Sequence, residues 1–156
     1  MWRVETSKEP RDLDVLVLRP AVVADIDAVL AFWKASAEDT NREDDRGAVE
    51  RLLARDPEAL VLAVAGAEIV GSVIAGWDGW RTHLYRVAVR EDWRRRGVSR
   101  ALMARAEQRF SSAGSRRADA MVLEGNRQGQ AAWRALGYAP QQEWRRWVKR
   151  LPGQAR

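Results

Sequence analysis

Arginines are concentrated in a short loop between an apolar run of strand type, Val87-Ala88-Val89, and a segment with helical spacing. The cationic residues at this loop are Arg94, Arg95, Arg96 and Arg100. The first turn of a helix has unpaired backbone N–H groups and the positive end of the helix dipole, so it can bind a phosphate. Gly97 lacks a Cβ atom and would let an anion come close to the backbone. The segment therefore predicts an anion site, although an arginine run alone is also typical of a solvated surface.

The order Arg94-x-x-Gly97-x-Ser99 resembles the coenzyme A signature of the GNAT N-acetyltransferase superfamily, Arg/Gln-x-x-Gly-x-Gly/Ala. Serine replaces the small residue at the last position. The resemblance implies that loop amides bind the pyrophosphate of acetyl-CoA, and the matching positions are Arg95, Arg96, Gly97, Val98, Ser99 and Arg100. It also implies that the pantetheine arm pairs with the backbone of the preceding strand, at Val87, Ala88 and Val89.

A second segment resembles the same family. There the pattern is Asn-x-x-Ala, an aromatic residue seven positions after the asparagine, and Gly-Phe or Gly-Tyr about four positions later. The matching residues here are Asn126, Gly129, Trp133 and Gly137-Tyr138. The resemblance implies that Asn126 and Trp133 contribute to the coenzyme site, while the position of Asn126 before a predicted helix also makes it a typical N-cap. The family tyrosine that protonates the departing thiolate is here Trp133, whose indole N–H is too weak an acid for that role.

The resemblance also has consequences for catalysis. The backbone N–H near Val87 would face the thioester carbonyl and stabilise an oxyanion. An alkyl amine with a pKa of about 10.4 is protonated at neutral pH, so a base must remove a proton before attack. The candidate bases are Glu124, Asp44, Asp45 and His83. We favour Glu124, because it ends a predicted strand and so would lie near the cleft. The proton donor to the thiolate is left open among Tyr85, Tyr138 and a water molecule.

The resemblance further implies that the first two helices and the loop between them, here positions 33–46, select the acceptor. This stretch contains Glu38, Asp39, Glu43, Asp44 and Asp45, which would attract a cationic amine. A polyamine, an aminoglycoside, a lysine and a peptide N-terminus all fit this description. Arg42 and Arg46 weaken the argument.

Composition limits the alternatives. The 156 residues include no cysteine and one histidine, His83, which excludes disulfides, a cysteine nucleophile and a multi-histidine metal site. We therefore expect no metal and a reducing, cytoplasmic location. The chain shows no export signal and no apolar run of the roughly 20 residues that cross a bilayer, so we expect no membrane partner. The oligomeric state is expected to be either a monomer or a homodimer.

Net charge leaves one further class open. A formal charge of +5 and a sequence pI near 10.4 indicate an anionic partner, which a nucleic-acid-binding module would also explain. We do not expect nucleic acid, because five of the eight tryptophans fall in or beside elements predicted to pack a core: Trp33, Trp77, Trp93, Trp133 and Trp144. A protein of the same fold that binds acyl-CoA as a sensor, without turnover, is the other alternative.

Hydrophobic spacing predicts a mixed α/β fold in the order β-α-α-β-β-β-α-β-α-β, which agrees with the GNAT order. Strands are predicted at 15–19, 60–64, 69–77, 82–89 and 118–123, and one or two more at 138–149. The three strands from 60 to 89 should form an antiparallel meander with a type I′ turn at Asp78-Gly79. The strands at 82–89 and 118–123 should be parallel, since a helix over 98–113 joins them. A single N-acetyltransferase domain is expected at 15–150, with an N-terminal arm at 1–14, a loose segment or an edge strand, and a tail at 151–156.

Overall fold

The computed structural model describes residues 2–4, 15–36 and 44–153. The chain divides into two compact units, Met1–Met121 and Val122–Arg156. The strands are β1 (Trp2–Val4), β2 (Leu16–Pro20), β3 (Leu60–Ala65), β4 (Glu68–Trp77), β5 (Thr82–Val89) and β6 (Asp119–Ala120). The α-helices are α1 (Ile26–Ser36), α2 (Arg46–Arg55), α3 (Val98–Ser112) and α4 (Arg127–Ala135). No helix within these described ranges combines the length and apolarity needed to cross a membrane.

The six strands form one sheet in sequence order, from β1 at one edge to β6 at the other. All neighbours are antiparallel except β5 and β6, which are parallel. The predicted meander and the predicted parallel pair are both confirmed. Strand β1 lies at the edge of the sheet, which is the edge strand that was one of the two predictions for the N-terminal arm. Residues 5–14 of that arm lie outside the described part of the chain.

Helices α1 and α3 cover opposite faces of the sheet, as two adjacent residues of β4 show. The side chain of Ser72 contacts Trp33 of α1. Gly71 faces α3 so closely that a Cβ atom there would lie 2.9 Å from Val98 and 3.0 Å from Leu102. Successive residues of a strand point to opposite faces, so the two contacts lie on the two sides of the sheet.

The buried positions follow the predicted periodicities. On α1 they are Ile26, Val29, Phe32 and Trp33, and on α3 they are Val98, Leu102, Met103, Ala106 and Phe110. Strand β3 is buried over its first five residues, as expected for an apolar run covered on both faces.

Two expectations about strands are wrong. The strand expected at 118–123 is reduced to Asp119–Ala120, and no strand forms over 138–149. Those last residues include Trp144 and Trp147, three positions apart and respectively 66% and 94% exposed. A spacing of three places side chains on opposite faces of a strand, so the tryptophans could not both join one packed face. The expected core position of Trp144 is also wrong, because its side chain is largely exposed.

The turn predicted at Asp78-Gly79 is also wrong in type. A type I′ turn needs positive φ at both central residues, and only Gly79 has it, at +90°. The connection instead spans residues 78–81. The Asp78 carboxylate closes it by accepting hydrogen bonds from the N–H groups of Trp80 and Arg81, each at 2.7 Å. An aspartate side chain commonly replaces backbone turn bonds in this way.

Candidate active site

The arginine loop leads directly from the end of β5 into α3. A short 3-10 turn at Glu91–Trp93 buries the Trp93 ring, and Gly97 precedes α3 with φ +83°. That conformation is one that glycine adopts without strain. The Ala101 N–H donates to the Gly97 carbonyl at 3.0 Å and is the first bond of the helix. The N–H groups of residues 98–100 therefore precede the helical ladder and point out of its end.

The cationic side chains around this helix end are not neutralised by neighbouring acids. Arg94, Arg95, Arg96 and Arg100 are all exposed, and none forms an ion pair within the ranges that the structure describes. The Arg96 guanidinium stacks on the Trp93 ring, 4.9 Å from its centroid. This arrangement combines fixed backbone donors with uncompensated positive charge, which is what a polyphosphate requires.

Arg90, at the start of the loop, has a different role. Its guanidinium binds both oxygens of Asp92, at 2.7 and 3.0 Å, and donates to Glu68 at 2.7 Å. These bonds raise the pKa of Arg90 and lower the pKa of Asp92 from their ordinary values. Arg90 therefore binds both acids beside the loop, and in the described ranges the other four arginines form no ion pair with them.

Strand β5 contains a bulge close to its C-terminal end. Ser72 pairs with Ala88, but Ile74 pairs with Tyr85, so two residues of β5 stand opposite one residue of β4. The bulge contains Arg86, which has a positive φ of +50°. Bulges re-aim backbone groups and are frequent beside active sites.

The bulge changes the direction of one peptide group. The Arg86 carbonyl accepts a hydrogen bond from the Ser72 hydroxyl at 2.7 Å, on the β4 side of the strand. No peptide bond in the described residues is cis, so the N–H of the same peptide, which belongs to Val87, points to the other side. On that side the pairing of β5 with β6 ends at Leu84. The Val87 N–H therefore points away from Ser72, toward the side on which the pairing of β5 with β6 has already ended.

The other candidate groups of the first unit have various partners. Asp44 accepts from the Arg86 guanidinium, and Asp45 caps α2 by accepting from the Ala48 N–H at 2.7 Å. These two carboxylates therefore have structural functions. The His83 and Tyr85 rings lie 5.8 Å apart on β5, and Tyr85 is 46% exposed. Glu38, Asp39, Arg42 and Glu43 of the predicted acceptor loop lie outside the described residues.

In the second unit, Asn126 is the N-cap of α4. Its side-chain oxygen accepts from the Gly129 N–H at 2.7 Å. A Cβ atom at Gly129 would lie 2.4 Å from the Asn126 side chain, which explains the small residue three positions after the asparagine. Glu124 lies in the preceding turn with an exposed side chain, while its carbonyl accepts from the Gln130 side chain at 2.6 Å.

The end of α4 explains the other half of the second motif. The Tyr138 N–H donates to the Trp133 carbonyl and the Gly137 N–H to the Arg134 carbonyl, both at 3.0 Å. Gly137 has φ +90°. This is the Schellman pattern of helix ends, and the accompanying side-chain contact is the edge-on packing of Trp133 against Tyr138, 4.9 Å between ring centroids. Trp133 therefore has a packing function in its own unit.

Three residues that sequence reasoning did not assign to the site lie beside the candidate site in the fold. They are Gly71, Ser72 and Arg86. One signal was available: the pair Gly71-Ser72 interrupts an otherwise apolar strand, and a glycine within a strand often marks a bulge or a close approach.

Comparison with known proteins agrees with this geometry. The model of the Acetyltransferase (GNAT) family matches residues 26–138. An acetyltransferase of Pectobacterium atrosepticum is 35% identical over 102 residues, which are 65% of this chain and 72% of that protein. An acetyltransferase of Yersinia enterocolitica is 34% identical over 103 residues, 66% of this chain and 73% of that protein.

Solved structures show the same fold. Aminoglycoside N-acetyltransferase AAC(6')-Iy in complex with CoA aligns with a TM-score of 0.71 at 19% identity, over 92% of this chain and 100% of that one. Ard1 from Thermoplasma volcanium aligns with a TM-score of 0.70 at 18% identity, over 80% of this chain and 82% of that one. The chain belongs to the GNAT family of acetyltransferases, and its general activity is acetyl transfer.

Proposed function

We propose that the protein is an N-acetyltransferase that moves an acetyl group from acetyl-CoA directly to a primary amine in a ternary complex. The observation that carries this proposal is the end of α3, where unpaired N–H groups meet four guanidinium groups without ion pairs. Pyrophosphate oxygens satisfy both kinds of donor. The pantetheine arm then pairs with the backbone of Val87, Ala88 and Val89, in the direction of the bulge of β5.

In the reaction the amine nitrogen attacks the thioester carbon. A C–N bond forms, the carbonyl oxygen becomes an oxyanion, and the Val87 N–H stabilises that charge by hydrogen bonding. Collapse breaks the C–S bond, and the thiolate leaves with the electron pair. The ammonium form of the acceptor loses one proton to a base before the attack, and Glu124 is the candidate for that base. The nitrogen loses a second proton to water once the C–N bond has formed, and the thiolate gains one from water or from Tyr85. A thiol with a pKa near 8.5 is a fair leaving group, and general acid help is worth about 10² to 10⁴-fold.

The acceptor class is a cationic amine. The acidic residues Glu38, Asp39 and Glu43 support this assignment by their charge, and the structural relative AAC(6')-Iy is an aminoglycoside acetyltransferase by name. The chain has no cysteine, which fits a reducing compartment, and the proposal places the enzyme in the cytoplasm.

Substitution of Gly97 by glutamate tests the coenzyme site. Gly97→Glu puts bulk and negative charge where the phosphates would approach, and we expect calorimetry to show CoA affinity lowered about 100-fold or more, roughly 2.8 kcal/mol. Gly114→Glu is the matched control, because Gly114 has φ +84° with open space around it at the other end of α3. Equal CoA affinity in the two variants would contradict the proposal that CoA binds at Gly97.

The sensor alternative is favoured by one observation, that Trp133 stands where the family has an acidic tyrosine. A thiol-release assay with acetyl-CoA and a panel of polyamines, aminoglycosides, lysine peptides and free peptide N-termini separates the two. Amine-dependent release of CoA supports the enzyme. Tight CoA binding without release for any amine supports the sensor.

A further inference from the structure

A chain of two hydrogen bonds, one buried and one partly buried, connects α1 to the bulge of β5. The Trp33 indole N–H donates to the Ser72 hydroxyl at 2.9 Å, and this hydroxyl donates to the Arg86 carbonyl at 2.7 Å. Ser72 is fully buried and Trp33 is 4% exposed. Trp33 and Ser72 are 39 positions apart, whereas Ser72 and Arg86 lie on consecutive strands, 14 positions apart.

The direction of these bonds is fixed by chemistry. An indole N–H is only a donor, and a carbonyl is only an acceptor. The serine hydroxyl has a single proton, so accepting from Trp33 leaves that proton for Arg86. The carbonyl therefore has one preferred orientation relative to the sheet.

We propose that Ser72, supported by Trp33, is a positioning residue that holds the peptide group between Arg86 and Val87 so that the Val87 N–H points at the thioester oxygen. The inference rests on the proposed function. The N–H and C=O of one trans peptide point in opposite directions, so anchoring the carbonyl on the β4 side aims the N–H at the unpaired edge of β5.

The bulge needs such an anchor. A φ of +50° at Arg86 is unfavourable for a residue with a Cβ atom, and a buried carbonyl without a partner is unfavourable as well. The Arg86 side chain provides a second restraint, because its guanidinium binds Asp44 and lies over the Trp33 ring, 5.4 Å from the centroid. Without the hydroxyl the side chain stays anchored, but the peptide is free to rotate.

The experiment compares two variants that each lose one buried hydroxyl. Ser72→Ala removes the anchor. Thr82→Val removes a hydroxyl that donates to the Arg117 carbonyl, at the other end of β5 and also buried. We expect a similar fall in Tm for both, about 2–6 °C for a chain of this size. We expect kcat to fall about 10- to 100-fold for Ser72→Ala and less than twofold for Thr82→Val, with CoA affinity unchanged in both.

Infrared spectroscopy gives a reading that does not depend on turnover. A hydrogen bond lowers the stretching frequency of a carbonyl, so acetyl-CoA labelled with ¹³C at the thioester should show a lowered band when bound to the wild type. Ser72→Ala should shift that band back toward its value in solution, and Thr82→Val should leave it in place. Trp33→Phe should have a smaller effect of the same sign, and none when added to Ser72→Ala, because the two groups act in one chain.

The outcomes separate the two proposals. A wild type that binds CoA but releases no thiol overturns the proposed function. The infrared shift then tests the positioning role of Ser72 independently of turnover. A wild type that is active, with Ser72→Ala equal to Thr82→Val in kcat and in carbonyl frequency, overturns the positioning role and leaves the proposed function intact.

Discussion

Two non-glycine residues in the described part of the chain have positive φ, Arg86 at +50° and Arg95 at +61°. One lies in the bulge of β5 and the other in the loop before α3. Such conformations are unfavourable and persist where the surroundings impose them, often at functional sites. Both occur in the segment to which we assign acetyl-CoA, so the backbone strain is concentrated where the proposed chemistry needs special peptide orientations.

Trp133 shows how a family position can change its function. Its ring packs against Tyr138, and its carbonyl accepts the Schellman bond of α4. Trp133 provides an aromatic packing surface without an acidic O–H. Under the proposed function, the proton for the thiolate therefore comes from another group.

Substitution of Glu124 tests the candidate base. Glu124→Gln keeps the size and removes the ability to take a proton, so we expect kcat to fall about 10² to 10⁴-fold with little change in acetyl-CoA affinity. Steady-state kinetics and calorimetry measure the two quantities. Glu143→Gln is the control, because Glu143 is also an exposed glutamate of the second unit. Unchanged kcat in Glu124→Gln would eliminate the residue as the base.

At the scale of elements, the approach of α3 to β4 sets the position of the proposed pyrophosphate site. Gly71 allows Val98, the first residue of α3, to contact the strand. Because Gly71 has no side chain, the helix end that carries the unpaired N–H groups can pack directly against the sheet.

Substitution of Gly71 tests this docking. In Gly71→Ala the new methyl group would lie 2.9 Å from the Val98 side chain, so we expect a loss of about 1–3 kcal/mol of stability and a roughly tenfold weaker CoA affinity. Thermal unfolding and calorimetry provide the measurements.

A second substitution makes the Gly71 test specific. Val98→Ala added to Gly71→Ala should restore part of both losses, because it removes the clashing methyl groups. Gly76→Ala is the control on the same strand, where a Cβ atom would have no neighbour closer than 3.4 Å. Equal CoA affinities for Gly71→Ala and Gly76→Ala would show that the close approach is not needed.

At the scale of the whole molecule, many of the arginines that contribute to the net positive charge are occupied in ion pairs and do not present free charge to a ligand. Several arginines of the first unit are used in ion pairs with acids: Arg19 with Asp25, Arg46 with Asp27, Arg109 with Asp56, and Arg117 with Asp119. Four further guanidinium groups, of Arg94, Arg95, Arg96 and Arg100, lie around the start of α3 and form no ion pair within the described ranges. Their concentration at one helix end fits a polyphosphate ligand.

The pair of Arg19 and Asp25 predicts a pH dependence of stability. The bidentate bond to Arg19, at 2.7 and 2.8 Å, lowers the pKa of Asp25 below its ordinary value near 3.8. The pair therefore stabilises the fold above about pH 4, and this stabilisation is lost as the pH falls through the lowered pKa. We expect Asp25→Asn to unfold at lower urea concentration than the wild type at pH 7, and the difference to shrink as the pH falls through the lowered pKa of Asp25.

The control for this prediction is Glu58→Gln, which removes the same charge from an exposed position. Urea midpoints measured from pH 2 to 7 should run parallel to the wild type for Glu58→Gln. A difference between Asp25→Asn and the wild type that did not change with pH would contradict the assignment.

The sequence by itself determined the features that depend on neighbouring residues. The strand, basic loop and helix around Gly97, the cap at Asn126 and the helix end at Gly137 were all predictable, because turn conformation, capping and apolar periodicity are set within a few positions. The antiparallel meander followed from its short connections. The prediction of a closing strand at 138–149 was wrong, because a composition rich in tryptophan and arginine does not ensure that side chains alternate between faces.

The tertiary structure alone decided the bulge at Arg86, the anchor at Ser72 and the docking at Gly71. Trp33 and Ser72 are 39 positions apart, and Arg86 and Asp44 are 42 positions apart. No local preference links such residues. Only the packing of α1, β4 and β5 brings them together, and the proposed anchoring of the Arg86 carbonyl depends on that packing.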